Sequence, residues 1–227
     1  MRTFLSTRRR VLAGAATTLL LPAAVRAQNT DKQAPSKETV AAALPKLRAF
    51  VHDIVDKKMV PGLSIAVVQG DEVVFLEGFG VRQIDRPEPV DADTVFQLAS
   101  VSKPLAATTV AALVGDGKVS WDSKIRDIDP GFALYDALAS AEVTVRDLFA
   151  HRSRLPGHVG DDIEELGFSQ GEILQRLRFA KPAYPFRSGY DYSNFGLTEA
   201  AVAAARVAGK GWAETAEERR YKPLGMA

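Results

Sequence analysis

Two short clusters hold side chains able to carry out acyl transfer. The first is Ser100-Val101-Ser102-Lys103. A serine hydroxyl is a weak nucleophile at its free pKa and needs a base beside it. On a helix, positions three apart share a face, so the Lys103 amine can reach the Ser100 hydroxyl. Lysine serves as a base where burial or a second cation depresses its pKa. A serine near a helix start also offers its backbone N–H to an oxyanion. The same residues suit an N-cap serine followed by an exposed lysine, and S-x-x-K arises by chance roughly half the time in a chain of this size. Phe96, Leu98, Val101 and Leu105 around the cluster favour the chemical reading, since so apolar a setting is unusual for a surface turn.

The second cluster is Tyr192-Ser193-Asn194, after the turn-rich stretch 182–190 and at the foot of a helical pattern. A phenol can shuttle a proton where cations lower its pKa, and an Asn amide can hold both a lysine and a substrate carbonyl. A partly buried tyrosine followed by an Asn N-cap is the plainer account of the same three residues.

The elements that must carry these clusters follow from periodicity. Val40, Leu44, Leu47, Val51 and Val55 recur at spacings of three and four, predicting an amphipathic helix over 38–58, with Pro45 able to kink it or delay its start. Leu63–Val68 and Val73–Phe79 are β-rich runs joined by Gln69-Gly70-Asp71-Glu72, a hairpin. Residues 86–93 form a Pro- and acid-rich loop. Helices are predicted over 99–114, 144–150, 170–179 behind the capping box Ser169-x-x-Glu172, 194–208 and 212–220. One helix, a hairpin and then a run of helices is an α+β order. Two strands alone are marginal in water, and Leu63, Ile65, Val67 and Val68 are too apolar for an exposed edge, so this hairpin calls for neighbouring strands.

The chain has 227 residues with 29 basic and 28 acidic side chains. Residues 1–27 hold five arginines and no acid, so the remainder carries an excess of four acids. That balance disfavours a nucleic-acid binder, which needs clustered Lys and Arg. The absence of cysteine excludes disulfides, thiolate metal sites and a Cys nucleophile. His52, His151 and His158 are scattered without metal-ligand spacing, so no metal is expected. Asp147, His151 and Arg152 read as scaffold residues. Arg8-Arg9 precedes an apolar run from Val11 to Ala24, too short to span a bilayer comfortably, and Val25-Arg26-Ala27 suits a cleavage site. Residues 1–27 thus read as a twin-arginine-type signal peptide, 28–37 as a polar lead-in and 38–227 as the functional domain.

Taken together, the order and spacing of the two clusters resemble the serine β-lactamase-related family, which includes class C β-lactamases, penicillin-binding D-Ala-D-Ala peptidases and esterases. Val60-Pro61-Gly62-Leu63-Ser64-Ile65-Ala66-Val67-Val68 is similar to the family's first strand, and Gly78-Phe79-Gly80 to the end of its second. The run from Thr94 to Lys103 resembles its nucleophile segment. Leu113–Asp122 is similar to the turn that follows, Val143–His151 to its short helix and Lys222-Pro223-Leu224-Gly225-Met226 to a late landmark. The resemblance implies a β-lactamase-like/transpeptidase-like helical subdomain with an antiparallel sheet. It implies Ser100 as the acylated nucleophile, Lys103 as its activator and Tyr192 as general base and then acid. Asn194 would position substrate and Lys103.

The sequence departs from the family pattern in two places. His151-Arg152-Ser153-Arg154-Leu155-Pro156 stands where the family reads His-Thr-Ser-Gly-Leu-Pro, and Arg154 is expected to resist the positive φ that glycine allows and to add bulk at the site rim. The family also continues beyond its Pro-Leu-Gly-Met landmark, into further strands and a Lys- or His-x-Gly motif that supplies a second oxyanion donor. The sequence therefore reads as a C-terminally truncated member with an incomplete sheet. Loss of one oxyanion donor costs on the order of 10²–10³ in rate.

The function expected is an exported serine hydrolase, periplasmic or extracellular, working through an acyl-enzyme on an ester, amide or β-lactam. The alternative is a non-catalytic truncated remnant, or a peptidoglycan- or partner-binding module. No cofactor is implied. The partners expected are a small-molecule or peptidoglycan-like substrate, and the twin-arginine translocon during export.

Overall fold

The computed structural model describes residues 34–182 and 184–226. The signal-peptide reading of 1–27 and most of the polar lead-in fall outside the described residues. The chain divides into two compact units, with the boundary between Val95 and Phe96.

The first unit is a helix on a hairpin. Helix α1, Lys37–Asp56, starts where the Ser36 hydroxyl accepts the Thr39 N–H, so the lead-in ends at Ser36 and Pro45 sits inside the helix without delaying its start. Strands β1, Gly62–Gln69, and β2, Glu72–Gly80, pair antiparallel around Gly70-Asp71, with a register shift at Val67/Val68. Val51, Phe75 and Phe79 form the buried centre, packed by Leu44, Leu47, Val55, Leu63, Ile65 and Val67. Gly80 lies at φ 73°, and a Cβ there would stand 2.2 Å from the Pro61 carbonyl oxygen, so only glycine lets β2 close on β1. Alternation along β1 points Val68 away from the face packed by Leu63, Ile65 and Val67. Val68 and Val73 are each 61% exposed, and among the described residues no third strand lies beside the hairpin.

The second unit is helical. A single 3₁₀ turn, Ala99–Val101, leads into α2, Ser102–Gly115. Then follow α3, Ile125–Ile128; α4, Ala137–Glu142; α5, Val145–Phe149; α6, Asp161–Glu165; and α7, Gln170–Arg176. The last two are α8, Asn194–Val207, and α9, Trp212–Ala216. Helix α8 is the hub. Its Ala200, Ala203, Ala204 and Ala205 are fully buried, and such small side chains let α2, α3, α5, α7 and α9 pack against one helix. Val110, Leu113, Ile125, Leu148, Ile173, Leu177 and Phe195 fill the surrounding core. The predicted capping box closes, Ser169 with Glu172 on α7, and a second one not foreseen from the sequence, Thr144 with Asp147, opens α5. Helices α3, α4 and α6 are not foreseen from the sequence, because four to six residues hold barely one turn of periodicity. Among the described residues the architecture is α+β, with one two-stranded antiparallel sheet.

Candidate active site

The sequence predicts that Ser100, Lys103, Tyr192 and Asn194 converge. The structure brings all four together, from two helix starts. Ser100 sits in the 3₁₀ turn, one turn earlier than a residue within α2 would, and Ala99 before it takes φ 45°. Lys103 is the second residue of α2, so its side chain returns over the turn that holds Ser100. The α8 start is fixed by Ser193, whose hydroxyl accepts the Gly196 N–H at 3.0 Å. Asn194 is therefore not the cap but the first residue of the helix, which frees both ends of its amide.

Ser100 Oγ and Tyr192 Oη lie 2.6 Å apart, and Lys103 Nζ donates to Ser100 Oγ at 3.1 Å. Lys103 Nζ also donates to Asn194 Oδ1 at 2.6 Å and stands 4.6 Å from the centre of the Tyr192 ring. The Lys103 ammonium contributes most to holding the Tyr192 phenol below the usual tyrosine range, and the Ser100 hydrogen bond comes next. Desolvation and the negative charge of Asp161 act the other way. The arrangement is a hydroxyl with a proton acceptor on one side and a cation on the other. The Ser100 N–H meets no acceptor among the described residues and remains open to a developing oxyanion.

Two further residues complete the cluster and were not foreseen. Asp161, at the start of α6, accepts the Asn194 Nδ2–H at 2.9 Å on Oδ2, which fixes the amide so that its oxygen faces Lys103. The same oxygen lies 3.0 Å from His158 Nδ1, while Asp161 Oδ1 is buried without a partner. His158 donates its backbone N–H to the Tyr192 carbonyl at 2.7 Å and places its ring 5.3 Å from the Tyr192 ring. The sequence carries a weak sign of this pair: His158 and Asp161 are three apart beside Gly160, a spacing that brings two side chains together.

The residues read as scaffold hold the loops. Buried His151 accepts the Ser193 N–H on Nδ1 at 3.1 Å, and its ring lies 4.7 Å from that of Tyr192. Burial first, then the Lys103 charge, push its pKa down. Burial alone would raise the Asp147 carboxyl. The Arg187 guanidinium, on both oxygens at 2.9 and 2.6 Å, and the Thr144 hydrogen bonds overcome that and hold it low. Arg152 in turn donates to the Arg187 carbonyl at 2.6 Å.

Two expectations are corrected. Arg154 does take the positive φ, at 75°, so the loop keeps a glycine-like path at a steric cost, and Arg154 Nε is buried without a partner. Phe96, Leu98 and Val101 do not enclose the nucleophile turn, for all three are exposed. Among the described residues of this unit, Ala99, His151, Arg154, His158 and Arg187 are the non-glycine residues at positive φ. One adjoins Ser100, and two place tilted rings beside that of Tyr192, the clustering of backbone strain that functional sites show. Among the described residues, no three His, Asp or Glu side chains gather as a metal site.

The sequence pattern of the Beta-lactamase family matches residues 47–227. An unguisins hydrolase of Aspergillus campestris is 28% identical over 184 residues, which cover 78% of this chain and 34% of that protein. Esterase EstB of Burkholderia gladioli is 28% identical over 215 residues, covering 88% of this chain and 54% of the esterase. The crystal structure of a D-amino acid amidase from Ochrobactrum anthropi superposes with a TM-score of 0.68 at 29% identity, covering 80% of this chain and 50% of the amidase. The chain thus spans between a third and about half of the length of these proteins. The α+β, β-lactamase/transpeptidase-like fold expected from the sequence is borne out.

Proposed function

Since the chain belongs to the Beta-lactamase family, we propose that it is a serine hydrolase working through an acyl-enzyme on Ser100. The observation that carries this reading is the Ser100 hydroxyl held 2.6 Å from Tyr192 Oη and 3.1 Å from Lys103 Nζ. Tyr192 takes the Ser100 proton as Oγ attacks the substrate carbonyl carbon. The charge that develops on the carbonyl oxygen meets the Ser100 N–H. Collapse of the tetrahedral species expels the leaving group, which takes the proton back from Tyr192 and leaves an acyl ester on Ser100. Water, deprotonated by Tyr192, then attacks that ester, and Ser100 recovers its proton as the acid departs. Lys103 stays in place throughout as a cation over the phenol, and Asn194 holds Lys103 and orients the substrate amide or ester.

Ester, amide and β-lactam substrates share this chemistry. A fluorophosphonate and a fluorescent penicillin, applied to the whole chain, test it. A covalent adduct on Ser100 that vanishes in Ser100→Ala supports the acyl-enzyme. No adduct from either probe, or an equal adduct on the variant, overturns it.

We further propose export through the twin-arginine route, on the strength of Arg8-Arg9 ahead of a short apolar run. Fractionation of expressing cells tests this: wild type is expected outside the cytoplasm, and Arg8→Lys/Arg9→Lys inside it. A double variant exported as well as wild type rules the route out.

A further inference from the structure

A second polar cleft lies in the helical unit, and none of the four residues of the serine site lines it. It has a volume of about 190 Å³ and is bordered by Asp129, Gly131, Gln175, Arg178, Glu199 and Arg206. That is smaller than the pockets of drug-sized ligands, so its occupant must be small. Its floor is Glu199 on α8, 1% exposed, with Oε1 buried and without a hydrogen-bond partner among the described residues. A carboxyl withdrawn from water and left without a donor is costly, and native proteins seldom retain one without a use.

The remaining groups are committed in a telling way. Arg206 pairs with Asp129 Oδ2, and Asp129 Oδ1 accepts the Gly131 N–H at 3.1 Å. Arg178 donates Nε to the Gln175 carbonyl at 2.9 Å and Nη2 to the Gly131 carbonyl at 2.7 Å. These bonds fix the guanidinium plane and leave Nη1 free of partners among the described residues. The cleft therefore holds two carboxyls and two guanidiniums, with an acceptor unmet at its floor and a donor unmet at its rim. A bare cation would satisfy Glu199 but face both arginines, and a bare anion would reach Arg178 but face both acids. A ligand carrying both charges satisfies each and leaves the cleft neutral.

We propose that this cleft is a binding site for a small zwitterion, an amino acid in chemical class, whose ammonium donates to Glu199 Oε1 and whose carboxylate accepts from Arg178. The ammonium binds the ionised carboxylate. Burial and the neighbouring Asp129 charge raise the free Glu199 pKa to about 7, so binding below that pH releases a proton. Affinity accordingly rises with pH towards neutrality and then levels off.

Titration calorimetry on the whole chain tests the proposal, with the ω-amino acids from 3-aminopropanoate to 6-aminohexanoate as probes. Pentylamine and pentanoate serve as single-charge controls. At least one amino acid is expected to saturate, with tenfold or greater preference over either control, about 1.4 kcal/mol. Glu199→Gln keeps the shape without the charge, and Arg178→Gln removes the rim donor. Each should weaken binding tenfold or more. A thermal melt and intact Ser100 labelling show that both variants are folded. Failure of the whole series to saturate at millimolar concentration overturns the proposal. So does pentylamine binding as well as the amino acids, or wild-type affinity in a folded Glu199→Gln.

Discussion

Tyr192 is where the proposed chemistry is most exposed to test. Acting as the base, it must be ionised when Ser100 attacks, and Lys103 holds its pKa below the usual tyrosine value. The acylation rate should therefore rise with pH and level off below about 10, the ordinary phenol value. Tyr192→Phe should lose roughly 10²–10⁴ of the rate, the span of general-base contributions. Lys103→Met removes the largest cause of the shift, so whatever rate survives should level off at a more alkaline pH. Stopped-flow acylation by a chromogenic ester reads all three, and a wild-type rate still rising through the ordinary phenol value would sink Tyr192 as the base. The quartet itself was legible in the sequence because its residue types and spacings are tied to its chemistry. Asp161 and His158 were not, because their role is to fix the Asn194 amide and the Tyr192 ring, and only the fold brings α6 to the foot of α8. Arg154 shows the opposite error: a residue type disfavoured at positive φ was expected to redirect the loop, whereas the loop dictated the backbone and the residue bears the strain.

At the scale of elements, the long helices and the hairpin were legible from period and caps, and the boundaries moved by only a residue or two at Lys37, Gly62 and Gly115. The short helix α6 was not, although it sets the geometry of the site. It begins at Gly160, whose φ of 97° is left-handed, and a Cβ there would stand 2.7 Å from Phe195 Cδ2 and 2.8 Å from Ile173 Cγ2. Both neighbours are buried core side chains with little room to move. Gly160→Ala should therefore cost about 2–4 kcal/mol, combining backbone strain with overpacking. It should also slow Ser100 acylation, since Asp161 follows directly and holds Asn194. Urea unfolding and the labelling rate measure the two effects. A stability change under about 0.5 kcal/mol would show that the close approach at Gly160 does not constrain α6.

For the whole molecule, the numerous surface ion pairs, such as Lys37–Glu72 and Lys57–Asp53, are too exposed to govern stability. The pH dependence falls instead to a few buried groups of opposing sign. Asp147 has its pKa lowered on folding, so its contribution is present above the unfolded carboxylate pKa and is lost as pH falls through the folded one. His151, also lowered, takes up its proton more readily when unfolded and weakens the fold on the acid side of its ordinary value. Glu199 runs the other way. Its pKa rises from 4.5 to about 7 on folding, so between those values the folded state holds a proton that the unfolded state has released. Stability must then fall as pH rises across that window, by about 3 kcal/mol in total, and stay level above it. Glu199→Gln carries no proton to release. It should match wild type near pH 4.5, gain on it steadily towards neutrality and exceed it by about 3 kcal/mol above that. Urea unfolding of both proteins from acid to mildly alkaline pH gives the difference curve. A difference that does not change with pH would mean that Glu199 titrates alike in the folded and unfolded chain, and that the α8 core accepts its charge without cost.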